Sequence, residues 1–144
     1  MRETITPVSR ETLVGVVAKL KIEGYRLVTL SCTEIDAGFV DILYHFDKDL
    51  ALTHLRLAAA KSESVPSISP VYFAALLIEN EIQDFFGIRF QGLVVDYQGT
   101  LYLEEEALKT PFCRFSIRQG EDGAPAVEAP AAEAPPAPAE PQPE

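Results

Sequence analysis

Residues 39–60, FVDILYHFDKDLALTHLRLAAA, hold two runs in which apolar and polar side chains alternate, separated by a turn sequence at 47–49. Alternation with a period of two is typical of strands that bury one face of a sheet. The side chains assigned to the buried face are Val40, Ile42, Tyr44, Phe46, Leu55 and Leu57. The preceding segment 25–35, YRLVTLSCTEI, is also rich in β-formers and is followed by a turn sequence at 36–38. Together the three segments predict an antiparallel three-strand meander with one dry face.

The other face of the predicted meander carries the two histidines of the chain, His45 and His54. They fall on neighbouring strands, so they lie close together if the strands pair in register. Two interpretations remain open at this point. We favour a pair of solvated surface residues, and the alternative is a pH-sensing or ligand-binding pair.

Two helices are predicted, one before and one after the meander. The first begins after the start signals Thr6-Pro7 and Ser9, repeats apolar residues at helical spacing and ends at a glycine. The second has Ser69-Pro70 as its N-cap and first position and runs from Val71 to Phe86. It is predicted to end where Gly87 supplies a residue in the left-handed conformation.

The segments on both sides of the second helix complete the predicted fold. Segment 61–70, KSESVPSISP, is predicted to be a loop, because its two prolines exclude a helix interior or a central strand. After the helix, short strands with turns at 91–92 and 98–99 are predicted, and 112–117 could add one more strand. The predicted fold class is therefore α+β, with the meander and short C-terminal strands packed against two helices.

The second helix carries three carboxylates within six residues, and a helical wheel separates them. The wheel places Glu79 and Gln83 towards solvent. It places Glu81 on the apolar side and Asp84 on the flank of that side. A carboxylate in such a position requires a charge or a hydrogen-bond partner.

The acids Glu81 and Asp84 and the apolar flank of this helix all need groups that pack against them. Arg56 and Arg89 are candidate partners for the acids within the chain, and a basic group of another subunit is the alternative. Tyr72, Phe73 and Leu76 lie outside the main apolar stripe, so the helix is apolar nearly all round. Such a helix is buried on more than one side. The second covering surface is either the remaining strands or a partner protein.

The composition of the chain changes near its C-terminal end. Residues 120–144 hold six acids, no bases and seven of the eleven prolines, too little apolar surface to offset the entropy of ordering. We predict a folded domain at 1–119 and a disordered tail at 120–144, which either solubilises the protein or docks a partner.

The net charge of −10 argues against a nucleic-acid interface. Neither a secretory segment nor a membrane-spanning apolar run is found, so we expect a cytoplasmic location.

Residues that bind metals and cofactors are scarce in this sequence. Cys32 and Cys113 are far apart, no CxxC occurs, and the two histidines lie on other segments. Structural zinc sites and iron–sulfur clusters need about four ligands, usually with some of them closely spaced. Neither a GxGxxG fingerprint nor a P-loop is present. We therefore expect no metal site and no cofactor in this chain.

Segment 79–92 carries the pattern Glu-x-Glu-x-x-Asp-aromatic-aromatic-Gly-Ile-x-Phe-x-Gly. It resembles the signature of the 30 kDa (C-type) subunit of NADH:quinone oxidoreductase, complex I, a family that also occurs in energy-converting membrane-bound NiFe hydrogenases. The preceding VPSIS at 65–69 is similar to the family's Val-Pro-Ser-Ile. The family usually has arginine at the position of Asn80 and histidine at that of Leu93. These departures and the short chain resemble the hydrogenase-type members, of the Ech and carbon-monoxide-induced types, more than complex I itself.

The resemblance implies a subunit that carries no cofactor and no catalytic site but belongs to an oxidoreductase complex. In this family the subunit acts as a clamp on the large catalytic subunit, in an assembly with a cluster-bearing small subunit. The resemblance places it at the cytoplasmic face of the membrane, held there by its partners. The residues that it assigns to the partner interface or to the support of that interface are Glu79, Glu81, Asp84, Phe85, Phe86, Gly87 and Phe90.

Three other functions remain open at this point. The first is the C-type subunit of complex I proper, and the second, from a different class, is a stand-alone protein-binding module. The third is an enzyme that uses Glu79, Glu81 and Asp84 as general acid and base. It would need a cleft with perturbed carboxylates, and the sequence supplies no nucleophile, metal or second motif for it.

Overall fold

The computed structural model describes residues 4–103, which lie within one compact unit spanning Met1–Phe112. The elements in chain order are β1 (Thr4–Pro7), α1 (Arg10–Ile22), β2 (Arg26–Glu34), β3 (Phe39–Lys48), β4 (Ala51–Ala60), β5 (Ser64–Pro66), α2 (Ala75–Phe86) and β6 (Arg89–Gln91). Four strands form a mixed sheet in the order β1-β4-β3-β2, and β5 and β6 form a separate parallel pair. The fold class is α+β, as predicted.

Strands β2, β3 and β4 form the predicted antiparallel meander. At the first turn, Asp36 Oδ1 accepts the backbone N–H groups of Gly38 and Phe39 at 2.7 and 2.9 Å. At the second turn, Asp49 and Leu50 adopt positive φ values of 53° and 65°. Positive φ at both central residues is the backbone of a two-residue hairpin turn whose twist matches that of the flanking strands.

The fourth strand of the sheet, β1, is missing from the sequence prediction, which takes Thr6 and Pro7 as the start of a helix. β1 lies at the edge of the sheet and pairs in parallel with β4. An edge strand tolerates proline, because the missing N–H is not needed for a central ladder. α1 begins at Arg10 after the predicted N-cap Ser9, whose backbone N–H donates to Thr12 Oγ1 at 3.2 Å.

The core lies between one face of the four-stranded sheet and the helices. The exposed fractions on the predicted dry face are 0% for Val40, Ile42, Tyr44 and Phe46, 2% for Leu55 and 1% for Leu57. α1 contributes Leu13 and Val17 to this core, and α2 contributes Ala75 and Ile82. The predicted buried face of the meander is therefore confirmed.

α2 begins at Ala75 and not at the predicted Val71, because residues 69–74 form two successive turns before the helix. Ser69, the predicted N-cap, has a different role. Its Oγ accepts the backbone N–H of Val94 at 3.1 Å, a tertiary contact that the local sequence does not reveal.

The end of α2 and the two turns that follow agree with the prediction. Gly87 adopts a left-handed conformation with a φ of 68° and donates its N–H to the carbonyl of Gln83 at 3.1 Å. Gly92, Gln98 and Gly99 have positive φ values of 82°, 57° and 80°. Positive φ at these residues marks the sharp changes of chain direction that the two glycine-containing turns require.

Only one strand follows α2 within residues 4–103, where several short ones were predicted. This strand, β6, pairs in parallel with β5, which lies in the predicted loop 61–70 and ends at Pro66. The remaining residues up to 103 form bends and turns, and two of their backbone N–H groups, those of Tyr97 and Tyr102, donate to side chains of α2. Segment 112–117 and the tail 120–144 lie outside the described residues, so the strand and the domain boundary predicted there stay predictions.

Candidate functional site

Four polar side chains of α2 face the interior of the protein. Glu79 and Asn80 are 0% exposed, Asp84 is 1% exposed and Gln83 is 8% exposed. Residues at positions i, i+1, i+4 and i+5 share one side of a helix. These four residues are called the polar ladder below. Buried polar groups need hydrogen-bond partners, and the ladder finds them in the segments that pack over it.

This orientation corrects the helical wheel. Glu79 and Gln83, predicted to face solvent, are buried, and Glu81, predicted to lie on the buried side, is exposed. The wheel takes the apolar stripe as the one buried side of the helix. Here the polar side is buried as well, because segments 67–69 and 94–102 cover it and offer hydrogen-bonding groups.

Glu79 holds the turn that precedes α2. Its Oε1 accepts the backbone N–H of Ile68 at 2.8 Å, and its Oε2 accepts the hydroxyl of Ser67 at 2.5 Å. The Ser67 hydroxyl lies 2.7 Å from that of Ser69 and accepts the Ser69 backbone N–H at 3.0 Å. Both oxygens of the carboxyl group are thus engaged by residues of a single turn.

The environment of Glu79 shifts the pKa of its carboxyl group towards neutral pH. Burial raises the pKa of Glu79 to about 7, and the hydrogen bonds from Ser67 and Ile68 oppose part of that rise. Tyr44 lies close enough for Glu79 to raise the pKa of its phenol, after the larger effect of burial. Glu79 therefore interacts electrostatically with a core side chain as well as with the turn before α2.

Asn80 joins α2 to the segment that follows β6. Its side-chain Nδ2 donates to the carbonyl of Leu76 at 2.8 Å and to that of Val95 at 3.0 Å. Its Oδ1 accepts the backbone N–H of Tyr97 at 2.9 Å. One side-chain amide thus fixes two points of the irregular segment.

Gln83 binds both β6 and the same segment, and Asp84 binds the segment near residue 102. Gln83 Oε1 accepts the backbone N–H of Phe90 at 2.9 Å, and its Nε2 donates to Asp96 Oδ1 at 2.9 Å. Asp84 Oδ2 accepts the backbone N–H of Tyr102 at 2.7 Å. The buried Oδ1 of Asp84 has no hydrogen-bond partner among residues 4–103.

The partner that the sequence analysis required for Asp84 is a backbone N–H group and not an arginine. Arg56 instead pairs with Asp41, with Nη2 at 2.7 Å from Oδ2. Within residues 4–103, Arg89 forms no ion pair with Asp84 or Glu81. The prediction of an arginine partner for these acids within the chain is therefore wrong for the described residues.

The four remaining predicted site residues differ in burial. Phe90 is 5% exposed and belongs to the core, and Phe86 packs against the core from a half-buried position. Phe85 is half-buried and stacks on Tyr102, with ring centroids 6.3 Å apart and planes inclined by 16°. Gly87 ends the helix. These residues and the ladder support one local structure, from which Glu81 alone points outward as a charged side chain of α2.

Exposed large apolar side chains occur on the outer side of α2, where Glu81 lies, and on the adjoining segment. Leu77 and Glu81 are four residues apart on α2, a spacing that makes them neighbours on the helix surface, and Phe73 lies in the turn just before the helix. The ladder holds segment 94–102 beside them through Asn80 and Asp84. These residues are called the outer patch below: Phe73 (68% exposed), Leu77 (53%), Glu81, Val94 (51%), Val95 (44%), Tyr97 (40%) and Tyr102 (60%).

The two histidines form a cross-strand pair. His45 and His54 lie directly opposite each other on β3 and β4, with their Nδ1 atoms 2.8 Å apart. His45 Nε2 lies 2.5 Å from the hydroxyl of Ser31. Since His54 is only 6% exposed, the favoured interpretation of two solvated histidines is wrong, and the two rings are hydrogen-bonded partners.

The acids of the signature do not converge on a common cleft in the described residues. Glu79 is fully buried with both oxygens engaged, whereas Glu81 faces solvent. A cleft of about 460 Å³ lies elsewhere, lined by residues 7–11 and 56–58.

In residues 4–103 no group of three or more His, Cys, Asp or Glu side chains is placed to hold a metal ion. No helix in this part of the chain is long and apolar enough to cross a membrane.

Sequence reasoning missed Asn80 and Gln83 as structural residues of the site. The signal was present, because Glu79, Asn80, Gln83 and Asp84 already define a polar face at helical spacing. A polar face is usually a solvated one. Only the segments that return over the helix distinguish this buried polar face from a solvated face.

Comparison with known proteins assigns this architecture to a family. The family model described as "Respiratory-chain NADH dehydrogenase, 30 Kd subunit" matches residues 6–113. Among solved structures, a chain of the membrane-bound sulfane sulfur reductase, an archaeal respiratory membrane complex, is similar with a TM-score of 0.57. That match has 17% sequence identity and covers 71% of this chain and 69% of the other chain. It indicates a shared fold. A search of the curated proteins found no match. Since the family model matches most of the chain, the protein belongs to the family of the 30 kDa subunit of respiratory-chain NADH dehydrogenase.

Proposed function

We propose that this chain is a non-catalytic accessory subunit of a membrane-associated redox complex, in which it clamps the large catalytic subunit through the outer patch. Family membership supports a place in a respiratory membrane complex. The observation that carries the proposal is that α2 has a buried polar side and an exposed apolar side. The buried ladder holds the surrounding segments, and the adjoining side of α2 together with segment 94–102 presents an exposed apolar surface.

The size and composition of the outer patch support docking. Single exposed apolar residues are normal on a soluble protein, but a cluster of them is typical of an interaction surface. Six large apolar side chains of the patch are each at least 40% exposed. Tyr97 and Tyr102 belong to a residue type that is enriched at protein interfaces.

The ladder explains how a short irregular segment can present a docking surface. Segment 94–102 has no strand ladder of its own, so its backbone would be mobile without other restraints. Asn80, Gln83 and Asp84 bind this segment along its length. A surface that is ordered before binding loses less conformational entropy when it docks.

Within this proposal the chain contributes no cofactor, and the metals belong to its neighbours. We infer that the assembly is an energy-converting hydrogenase, that it contains a cluster-bearing small subunit, and that the chain lies at the cytoplasmic face of the membrane through these partners. The departures of this chain from the family pattern at Asn80 and Leu93 support the hydrogenase assignment. The alternative is complex I proper, and a stand-alone protein-binding module is the alternative from another class.

Purification of the tagged chain from its native cells tests the proposal. We expect the large catalytic subunit and a cluster-bearing subunit to co-purify with it. Iron together with nickel in the purified assembly would support the hydrogenase assignment, whereas iron with NADH-oxidising subunits and no nickel would support complex I. Recovery of the chain without any cluster-bearing subunit would contradict an accessory role and favour the stand-alone module.

The matched pair Leu77→Asp and Leu50→Asp tests the docking surface itself. Leu77 is in the outer patch, and Leu50 is an exposed leucine at the tip of the β3–β4 hairpin, where its positive φ suits aspartate. We expect Leu77→Asp to lose the large subunit and Leu50→Asp to retain it. Equal recovery with both variants would exclude the outer patch as the docking surface.

A further inference from the structure

The charge of the outer patch has one main source. Glu81 is the only exposed charged side chain of α2, because Glu79 and Asp84 are buried. Among residues 4–103, Glu81 forms no ion pair and no side-chain hydrogen bond. The other exposed acid beside the patch, Asp96, already accepts hydrogen bonds from Gln83 and Gln98.

A partner that covers Phe73 and Leu77 must also remove water from Glu81. Leu77 and Glu81 are i, i+4 neighbours on the exposed side of α2, and Phe73 is exposed in the turn just before the helix. A carboxylate that loses its water without gaining a counter-charge opposes binding. Burial of this patch is therefore favourable only if the partner compensates the charge of Glu81.

We propose that the partner surface clamped by this chain presents an apolar groove with a cationic side chain, arginine or lysine, that pairs with Glu81. The inference rests on the proposed function and adds the chemistry of the partner. The planar guanidinium of arginine is suited to this contact, because it binds a carboxylate through two parallel hydrogen bonds. Arginine is also enriched at protein interfaces, whereas lysine is depleted there.

The same charge argues against two other occupants of the patch. A symmetric dimer of this chain through the patch would bring Glu81 of each copy near the same negative patch of the other. An anionic membrane surface attracts basic segments and repels this acidic one. None of the residues of the outer patch is basic. A cationic protein surface is the occupant that satisfies both the apolar area and the charge.

The test uses the full chain, tagged and expressed in its native cells, with the large catalytic subunit as the measured partner. Glu81→Gln keeps the shape and removes the charge, and Glu81→Lys reverses the charge. Asp49→Asn is the matched control, since Asp49 is an exposed acid on the β3–β4 hairpin, outside the outer patch, and its left-handed backbone also suits asparagine. Co-purified large subunit per tagged chain is measured after washing at low and at high NaCl concentration.

We expect Glu81→Gln to lower the recovered large subunit about tenfold and Glu81→Lys to abolish recovery, as for loss of one partner of an interfacial ion pair. Asp49→Asn should match the wild type. High salt should weaken the wild-type complex and should have less effect on the complex formed by Glu81→Gln, because salt screens an ion pair that the variant lacks.

Each contrary outcome has a separate meaning. If Leu77→Asp loses the large subunit but Glu81→Gln and Glu81→Lys retain it, docking stands and the cationic partner is wrong. If the purified chain forms dimers that Glu81→Gln strengthens, or binds phosphatidylserine vesicles through the patch, the proposed occupant is wrong. If the wild-type chain is recovered with no cluster-bearing subunit, the proposed function itself fails.

Discussion

The meander and α2 reach the same degree of burial by different means. On β3 the buried side chains Val40 and Ile42 are apolar, and packing against the helices is sufficient for them. On α2 the fully buried side chains include Glu79 and Asn80, which depend on hydrogen bonds from other segments. The core of the meander is therefore set by a local pattern, whereas the burial of α2 depends on contacts that are distant in sequence.

The largest loss of stability is expected in the meander. Phe46 is 0% exposed and packs against Tyr72, with ring centroids 5.5 Å apart. Phe46→Ala should lower the free energy of unfolding by about 3–5 kcal/mol, because it leaves a cavity in the core. Urea denaturation followed by circular dichroism measures the loss. A loss as small as that of an exposed-site control, Leu50→Ala, would contradict the assignment of this face to the core.

The pH dependence of stability should identify Glu79. Its folded pKa of about 7 lies above the ordinary 4.5, so the folded state holds a proton that the unfolded state releases between these values. The stabilisation is complete below about pH 4.5 and is lost as the pH rises through 7. As the pH rises from 4.5 to 7, the loss of this contribution should lower the free energy of unfolding by about 2–3 kcal/mol.

Comparison of the wild type with Glu79→Gln isolates this contribution, because glutamine keeps the shape of the side chain and does not titrate. Urea denaturation of both proteins at pH 5, 6, 7 and 8 gives the two profiles. The exposed acid Glu81 supplies the control, since Glu81→Gln should keep the wild-type profile. Parallel profiles for the wild type and Glu79→Gln would show that Glu79 does not titrate in this range.

A ladder residue should have a mainly local effect. Asn80→Ala removes three hydrogen bonds and leaves the Val95 carbonyl and the Tyr97 N–H without their partner. We expect a loss of about 2 kcal/mol and faster amide hydrogen exchange at Tyr97. Amides of the meander should keep their relative order of protection. Unchanged exchange at Tyr97, with Glu81→Ala as the neighbouring control, would argue against the role of the ladder in ordering this segment.

The smallest effect on stability is expected at Glu81. Because its side chain is exposed and makes no ion pair within residues 4–103, Glu81→Gln should change the free energy of unfolding by less than about 0.5 kcal/mol. Its effect on assembly should nevertheless exceed that of the control Asp49→Asn. Loss of assembly that is matched by a loss of stability would identify Glu81 as a folding residue and not as an interface residue.

Features whose physical cause is local were predictable from the sequence. The alternation from Val40 to Phe46 identified the buried face, and Gly87 identified the end of α2. The errors arose where a side chain or strand serves a distant segment. Ser69 binds Val94 instead of capping the helix, and Thr6 belongs to a strand whose partner is about fifty residues away.

The candidate site was predicted in part. The family was predicted from the spacing of the signature, and the family model matches residues 6–113, which include it. The interface role of the signature residues stays a prediction. The direction in which each acid points was not predictable from the helix alone. Glu79 and Glu81 exchange their predicted environments, since the choice depends on which segments return over the helix. A helical wheel contains no information about those segments.

Hydroxyl-radical footprinting of the assembled complex tests the central claim most directly, because it measures side-chain exposure residue by residue. The free chain and the chain within the purified complex are labelled in parallel. The account predicts protection of Phe73, Leu77, Tyr97 and Tyr102 in the complex, with unchanged labelling of Leu50 at the hairpin. Equal labelling of these four residues in both states, with protection appearing elsewhere on the chain, would contradict docking through the outer patch.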